Sequence, residues 1–440
     1  MKRFKLDGRQ RSNTRALRVG FGITAVGAAL LLAACSSSSS SSAPSATSST
    51  PSSASAAASA SPSGSSSSGS VNISALTSAV NTGAAIPSFS TYASDYGSKV
   101  PNTSNLKGKK LMIVPGDSEL AACTEIAQAD AAIASALGMQ ATIFANQGLE
   151  SQYNTAVENA IHQGYAAIDL ECDFDPTLIA PAIAQAEKAG IVVAVYGATP
   201  QEAAASKVTY NTVDPYALDA KYAAEQAVAQ AGGKPFQAIA ITSNAAPATA
   251  IMQDSLTSTL SSLCPTCTVT DVNVEVPNWT TDVASALSSA LLQHPSVSVI
   301  FPDYAGMLTY VLAGIESAHK TTSVKTYLGF GGGTPFIKLQ TVQPGESIIQ
   351  SDIGGYPPWT GYLLFLQTVR ALEKLPPIPY NQAIGPDRIA TPQNAVNVLE
   401  TGGWGTSWVN GFRALVGLPP LSGSALTAAS TLNGAMTAKP

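Results

Sequence analysis

The chain has 440 residues, of which 45% are hydrophobic and only 12% charged, with a formal net charge of −5; that is material for two or three domains with well-filled cores. Residues 1–34 hold seven cations against one anion, so the remainder carries −11, and so acidic a body argues against nucleic-acid binding, which depends on neutralising phosphates. Three histidines and five cysteines leave little room for a Cys/His zinc cluster.

The basic start leads into an apolar run, Phe21 to Leu32, ending in Leu32-Ala33-Ala34-Cys35. The run is shorter than the about 20 apolar residues of a spanning helix. It has the three parts of a secretory signal: basic region, apolar region, small residues at the cut site. Residues 1–34 are therefore expected to be a lipoprotein signal peptide. The cysteine directly after the small residues resembles the bacterial lipobox, which implies acylation of Cys35 and a lipid anchor on the outer face of the cytoplasmic membrane. Residues 35–70 open with an unbroken serine run and continue in Ser, Ala, Thr and Pro; with nothing to bury, they read as a flexible tether. Residues 71–106 are transitional, with no element assigned.

From residue 107 onward, apolar runs alternate with helical stretches. Leu111 to Val114, stopped by Pro115-Gly116, reads as a buried strand, and a helix from about Glu119 to Leu137 closes at Gly138. Strands Ala141 to Phe144, Ala167 to Leu170 and Ile191 to Val195 then alternate with helices Ser151 to His162 and Pro176 to Ala189. Gly164 and Gly190 are their stops. After Tyr210-Asn211-Thr212 a second series begins, with helices from Pro215, Ala248, Thr281 and Gly306 leading to strands near 238–241, 269–276, 297–301 and 327–330. Pro335 to Thr341, Ser347 to Gln350 and a long helix from Gly361 to Lys374 read as returning elements. Two βα series in tandem predict an α/β fold of two doubly wound parallel-sheet lobes. Ligands in such folds sit beyond the strand C-termini, in the cleft between lobes.

An exported protein is expected to form disulfides. With Cys35 acylated, Cys123, Cys172, Cys264 and Cys267 remain and allow three pairings. A local loop closed by Cys264-Pro265-Thr266-Cys267 leaves Cys123 for Cys172, which the alternation brings near each other. The CPTC spacing also suits a redox pair, but it follows a helical stretch instead of opening one, where a thiolate is stabilised.

Several ordered segments carry a family resemblance: Lys109-Lys110-Leu111-Met112-Ile113-Val114-Pro115, then Ala160-Ile161-His162-Gln163-Gly164-Tyr165-Ala166-Ala167-Ile168, then Ala186-Glu187-Lys188-Ala189-Gly190-Ile191-Val192-Val193. Together with His294 to Phe301 and Tyr327-Leu328-Gly329-Phe330, they resemble type I periplasmic sugar-binding proteins, the ribose-binding group, from about Lys107 to Lys374. The resemblance implies a three-segment hinge, with crossovers near 200–210, 330–335 and 374–380. It places lobe 1 at 107–205 and 331–375, and lobe 2 at 206–330 and 376–440 with a C-terminal extension. It also implies a monomer that needs no cofactor, closes on a small-molecule ligand and serves the permease subunits of an ABC importer.

At the positions that read sugar hydroxyls in that family, this chain departs. The first-lobe Asp-Arg pair falls on Tyr196-Gly197, and the Asn-Asp pair on Pro302-Asp303. The aspartate of Gly-Phe-Asp-Gly becomes Gly331, and the second-lobe arginine falls among Ala250 to Met252. Gln350, near Asp352, matches the last polar contact. A buried polyol without partners is costly, so a simple pentose fits poorly. The candidate ligand contacts are Asp117, Ser118, Tyr196, Asn244, Asp303, Tyr304, Gln350, Asp352, Tyr356 and Trp359. Aromatic faces there suit sugar rings, nucleobases, aromatic acids or cations alike. Asp117, Ser118 and Asp303 have the alternative of capping the helices that follow, Tyr196 that of capping a hinge, and Trp279 reads as structural. Tyr356-Pro357-Pro358-Trp359, where the chain returns to the cleft, is the foremost contact outside the family's set. Glu171, Asp173 and Asp175 form an acidic loop suited to a cation or metal, or simply to solvent.

There is no G-x-S-x-G, no H-E-x-x-H and no P-loop lysine. The three histidines fall on helical stretches away from the cleft ends, and Thr334 stands where Gly329-Phe330-Gly331-Gly332-Gly333 would need its last glycine to make a dinucleotide turn. The expected function is therefore a solute-binding lipoprotein of an ABC importer for a sugar or sugar-like molecule. A ligand-sensing receptor for a membrane kinase is the alternative on the same fold; an envelope enzyme would need a nucleophile and base within reach in the cleft.

Overall fold

The computed structural model describes residues 71–246, 248–329, 331, 337, 348–400 and 404–431, with the side chains of 397, 399 and 400 excepted. The expected signal peptide, Cys35, the tether and, apart from Ile337, the element Pro335 to Thr341 lie outside the described residues. In chain order the elements are α1 (Ile73–Gly83), α2 (Phe89–Tyr92), β1 (Lys110–Pro115), α3 (Ala121–Ala136), β2 (Gln140–Ile143), α4 (Glu150–Gln163), β3 (Ala167–Glu171), α5 (Ala180–Lys188), β4 (Val192–Tyr196), α6 (Pro200–Ser206) and β5 (Tyr210–Thr212). There follow α7 (Tyr216–Gln230), β6 (Gln237–Thr242), α8 (Thr249–Leu263), β7 (Thr268–Asn273), α9 (Trp279–Gln293), β8 (Val297–Pro302), α10 (Leu308–Ser317) and β9 (Lys325–Leu328). The chain continues with β10 (Ile349–Gly355), α11 (Pro357–Leu372), β11 (Asp387–Ala390), α12 (Ala395–Glu400), α13 (Ser407–Leu415) and α14 (Gly423–Ser430).

The first sheet has the order β2-β1-β3-β4-β5, and its pairs are all parallel. Its strands lack alternation because both faces are covered. On β1, Leu111 and Ile113 pack under α3 and α11, whereas Met112 and Val114 pack under α4 and α5. The alanine-rich α3 has high intrinsic helicity, and Gly164, at φ 66, supplies the left-handed cap that ends α4. The second sheet runs β11-β10-β9-β8-β6-β7, parallel except for β11 against β10. Its core gathers α7 to α10 around Ile239, Ile241, Leu287 and Ile300. Two doubly wound α/β lobes are thus present.

The lobe boundaries lie later in the chain than the sequence suggests. β5 completes the first sheet through Ala194–Tyr210 and Tyr196–Thr212 pairing, so the first crossing is at 213–215. β10 belongs to the second sheet, where Asp352 pairs with Leu328; the return to lobe 1 follows Gly355, later than the expected crossover near 330–335. β10 was hard to read because Ser351 and Asp352 are polar yet buried, which erases any apolar pattern. The third crossing runs from about 373 to 386, where Val213 bridges Ile384 and Val213 N donates to Ala383 O at 3.0 Å. The C-terminal extension does not stay with lobe 2: Trp408, Val409 and Phe412 of α13 are buried in the lobe 1 core.

Residues 71–106 are also structured. Asn72 caps α1, accepting from Ala75 N at 3.0 Å, and α1 lays Leu76 against α7. Phe89 and Tyr96 then join the lobe 1 core beside Trp359 and Phe412. These partners lie far away in sequence, so local pattern could not reveal them. No helix among the described residues is long and apolar enough to cross a membrane.

Candidate functional site

In an open α/β sheet, the loops beyond two strands that diverge in winding direction leave a crevice. Each lobe has one such point, between β1 and β3 in the first sheet and between β6 and β8 in the second. The facing loops are Gly116-Asp117-Ser118 and Cys172-Asp173 in lobe 1, and Ser243-Asn244 and Asp303-Tyr304 in lobe 2. The first two crossing segments leave β5 and β10 at this same end, and the third enters β11 there.

The lobe 1 loops approach closely. A Cβ on Gly116 would stand 2.6 Å from Cys172 O, so only glycine fits. Asp117 does not cap α3, whose N-cap is Leu120; its Oδ1 accepts from Glu119 N at 2.8 Å, while Ser118 Oγ accepts from Asn146 N at 3.1 Å. Burial raises the Asp117 carboxyl above its ordinary range. A disulfide joins Cys123 on α3 to Cys172, with Cα atoms 5.2 Å apart, and pins the loop after β3. Cys172 and Asp173 both take left-handed backbone, at φ 68 and 55. Gly197 packs beneath them at φ 103, where a Cβ would lie 2.4 Å from Asp173 Cα. Gly197→Ala is therefore expected to cost more than the about 1–2 kcal/mol of a left-handed alanine alone, read as a lowered denaturation midpoint.

Asp173 accepts a hydrogen bond from the Tyr216 hydroxyl. Tyr216 opens α7, just beyond the first crossing, so the bond joins lobe 1 to the first helix of lobe 2. Burial pushes the Asp173 carboxyl up to about 7. In lobe 2, Asp303 is 3% exposed. Its Oδ1 accepts from Gln253 Nε2 at 2.6 Å, and its Oδ2 has no hydrogen-bond partner; burial pushes this carboxyl up to about 8. It does not cap the turn that follows, whose N-cap is Tyr304. Thr249 Oγ1 donates to Ser243 O at 2.8 Å and lies 3.3 Å from the Tyr304 hydroxyl. Trp279 is structural, donating from Nε1 to Ser243 Oγ at 2.9 Å. Asn244 is exposed, its backbone N–H held by Asn273 Oδ1 at 2.8 Å.

The other sequence candidates lie elsewhere. Tyr356 and Trp359 are 1% and 0% exposed, so the expected contact at the chain's return is a correction. Tyr356 stacks on Trp404 and donates to Ser430 O at 2.7 Å; Trp359 donates to the Tyr96 hydroxyl at 3.0 Å. Both serve the lobe 1 core and the C-terminal extension, which sequence reading could not place. Tyr196 directs its hydroxyl to Asp214 on the first crossing, consistent with the hinge alternative. Gln350 lies near the start of β10, the end away from the cleft, and its backbone carbonyl accepts from Gln226 Nε2 at 3.3 Å. Asp352 is buried within the sheet.

Glu171 does not lie in a loop as the sequence suggests but ends β3, buried with Asp130 and Asp169, which sequence reasoning missed. Asp130, Asp169 and Glu171 are 0% exposed between the first sheet, α3 and α11. Burial and mutual repulsion raise all three well above the carboxylate range. As carboxylates their free oxygens lack donors; with protons retained, Asp130 bonds both neighbours, and Thr368 donates to Asp169. A second group, Asp214, Asp219 and Asp387, lines the crossings, with Asp219 sharing a proton with Asp387, which is pushed up to about 7. The signal for the first group was the polar positions 169 and 171 inside an otherwise apolar strand. No cluster among the described residues suits a metal ion.

Two lobes wound alike and hinged by three segments, with facing loops at both switch points, define a type I periplasmic binding fold. The family described as periplasmic binding protein domain matches residues 112–375, and the chain belongs to it. Among solved structures, an ABC transporter solute-binding protein from Agrobacterium vitis with bound allitol superposes at a TM-score of 0.56 with 19% identity, covering 67% of this chain and 98% of that one. The 5-methylthioribose transporter solute-binding protein from Thermotoga lettingae gives 0.57 at 16% identity, covering 76% and 99%. A sugar ABC transporter protein from Yersinia enterocolitica gives 0.58 at 15%, covering 72% and 96%. At these identities the likeness is one of fold. No curated protein sequence matches the chain.

Proposed function

We propose that the protein is an extracytoplasmic solute-binding lipoprotein of an ABC importer, anchored through acylated Cys35, that closes its two lobes on a sugar-like small molecule. The observation that carries this reading is the pair of opposed switch-point loop sets joined by three crossings. A ligand that touches both lobes favours the closed arrangement by the difference of its contacts in the two states. The solved structures of like fold carry allitol, 5-methylthioribose and other sugars, which supports a polyhydroxylated ligand class. This reading needs no covalent step, and among the described residues the cleft loops offer carboxyls and hydroxyls but no activated nucleophile beside a base. Permease subunits are the partner that reads the closed form.

Native mass spectrometry on the protein isolated from its own cells tests this. One equivalent of an unaltered small solute, released on denaturation, is expected. A chemically converted product appearing on incubation would contradict it.

A further inference from the structure

We propose, building on the receptor reading, that the cleft selects a small organic cation: an amine-bearing solute rather than a neutral sugar. Each lobe is electrically polarised along its strands. The loops that follow β1 to β8, which form the cleft faces, carry Asp and Glu but no Lys, Arg or His. Lys110, Lys188, Lys207, Lys234 and Lys325 stand at or just before strand starts, at the opposite ends, whereas Arg388 stands at the cleft end beside Gly354, with its Nε donating to Ala84 O.

Asp303 provides the independent observation. It is nine-tenths buried and more, keeps one oxygen without a partner, and lines a small pocket with Met252, Ala220 and Gly329 at the cleft end of lobe 2. Asp173 stands at the switch point of lobe 1, its carboxyl accepting from the Tyr216 hydroxyl beyond the first crossing. Burial keeps Asp303 protonated and Asp173 partly protonated near neutral pH, and an ammonium group beside them favours the ionised carboxylates, so the cation displaces their protons on binding.

Hydrogen-bond chemistry points the same way. A sugar hydroxyl needs donors as well as acceptors, whereas an ammonium only donates. Three hydroxyl donors at the cleft are engaged within the protein: Tyr196 to Asp214, Tyr216 to Asp173, and Thr249 to Ser243 O. The Asp303 Oδ2 without a partner, once ionised, is an acceptor suited to the N–H donors of a cation.

The test compares D-glucosamine, spermidine and choline with D-glucose, D-ribose and allitol, by calorimetry and thermal shift on the full-length protein near neutral pH. At least one amine is expected to bind about tenfold or more tightly than every neutral compound, to weaken as salt rises to about 0.5 M, and to lose about tenfold in affinity in Asp303→Asn. Asp173→Asn gives the same readout if the first variant does not fold. Neutral compounds binding as well as the amines, or no shift from any of the three amines, overturns the inference. A neutral sugar that binds and closes the lobes overturns it while leaving the receptor reading intact.

Discussion

Trp359→Ala is expected to lower stability by about 3–5 kcal/mol, seen as a shift of the denaturant midpoint. The side chain is fully buried, with Phe89, Trp408 and Phe412 at ring-centroid distances of 5.7, 5.8 and 5.9 Å. Its Nε1–H donates to Tyr96, whose hydroxyl donates to Ile384 O at 2.8 Å on the third crossing. Truncation opens a cavity and removes that donor together, so two named costs add. Trp359→Phe keeps much of the packing and is expected to lose less. A Trp359→Ala protein of unchanged stability that no longer retains its solute would instead make Trp359 a ligand contact.

The melting temperature is expected to fall as pH rises from about 5 to 8.5. Asp303, Asp173 and Asp387 are raised to about 8, 7 and 7, and Asp130, Asp169 and Glu171 stand well above the ordinary range. The folded protein therefore holds protons that the unfolded chain releases above about pH 4. Their stabilisation is complete below the unfolded values and is lost as pH climbs through the folded ones. Each such proton contributes a slope of about 1.4 kcal/mol per pH unit within that window. Asp169→Asn keeps an acceptor for Thr368 and removes one titrating proton, so its profile should be flatter. Stability that rises over the same range would show these carboxyls to be ionised in the fold.

Much of the architecture was legible because it rests on local signals. Leu111 to Val114 and Val192 to Val195 are apolar on both faces, and Gly138, Gly164 and Gly190 end their helices at positive φ. The CPTC loop closes on itself as Cys264–Cys267, with Cα atoms 5.3 Å apart. What stayed hidden depends on partners distant in sequence. Tyr356 and Trp359 looked like cleft aromatics until α13 and the segment around Phe89 covered them. The first crossing was read too early because β5 is only three residues long. The place of Asp117, Asp303 and Tyr304 on the switch-point loops was legible from strand ends, whereas the packing of Gly197, Tyr216 and Gln253 against those loops needed the fold.

Small-angle scattering, recorded on the protein as isolated and again after its solute is stripped by unfolding and refolding, tests the hinged-receptor claim most directly. The stripped protein is expected to show a larger radius of gyration that contracts when the released solute is returned. Identical curves in all three samples, with the solute bound, would contradict closure of the lobes as the protein's working step.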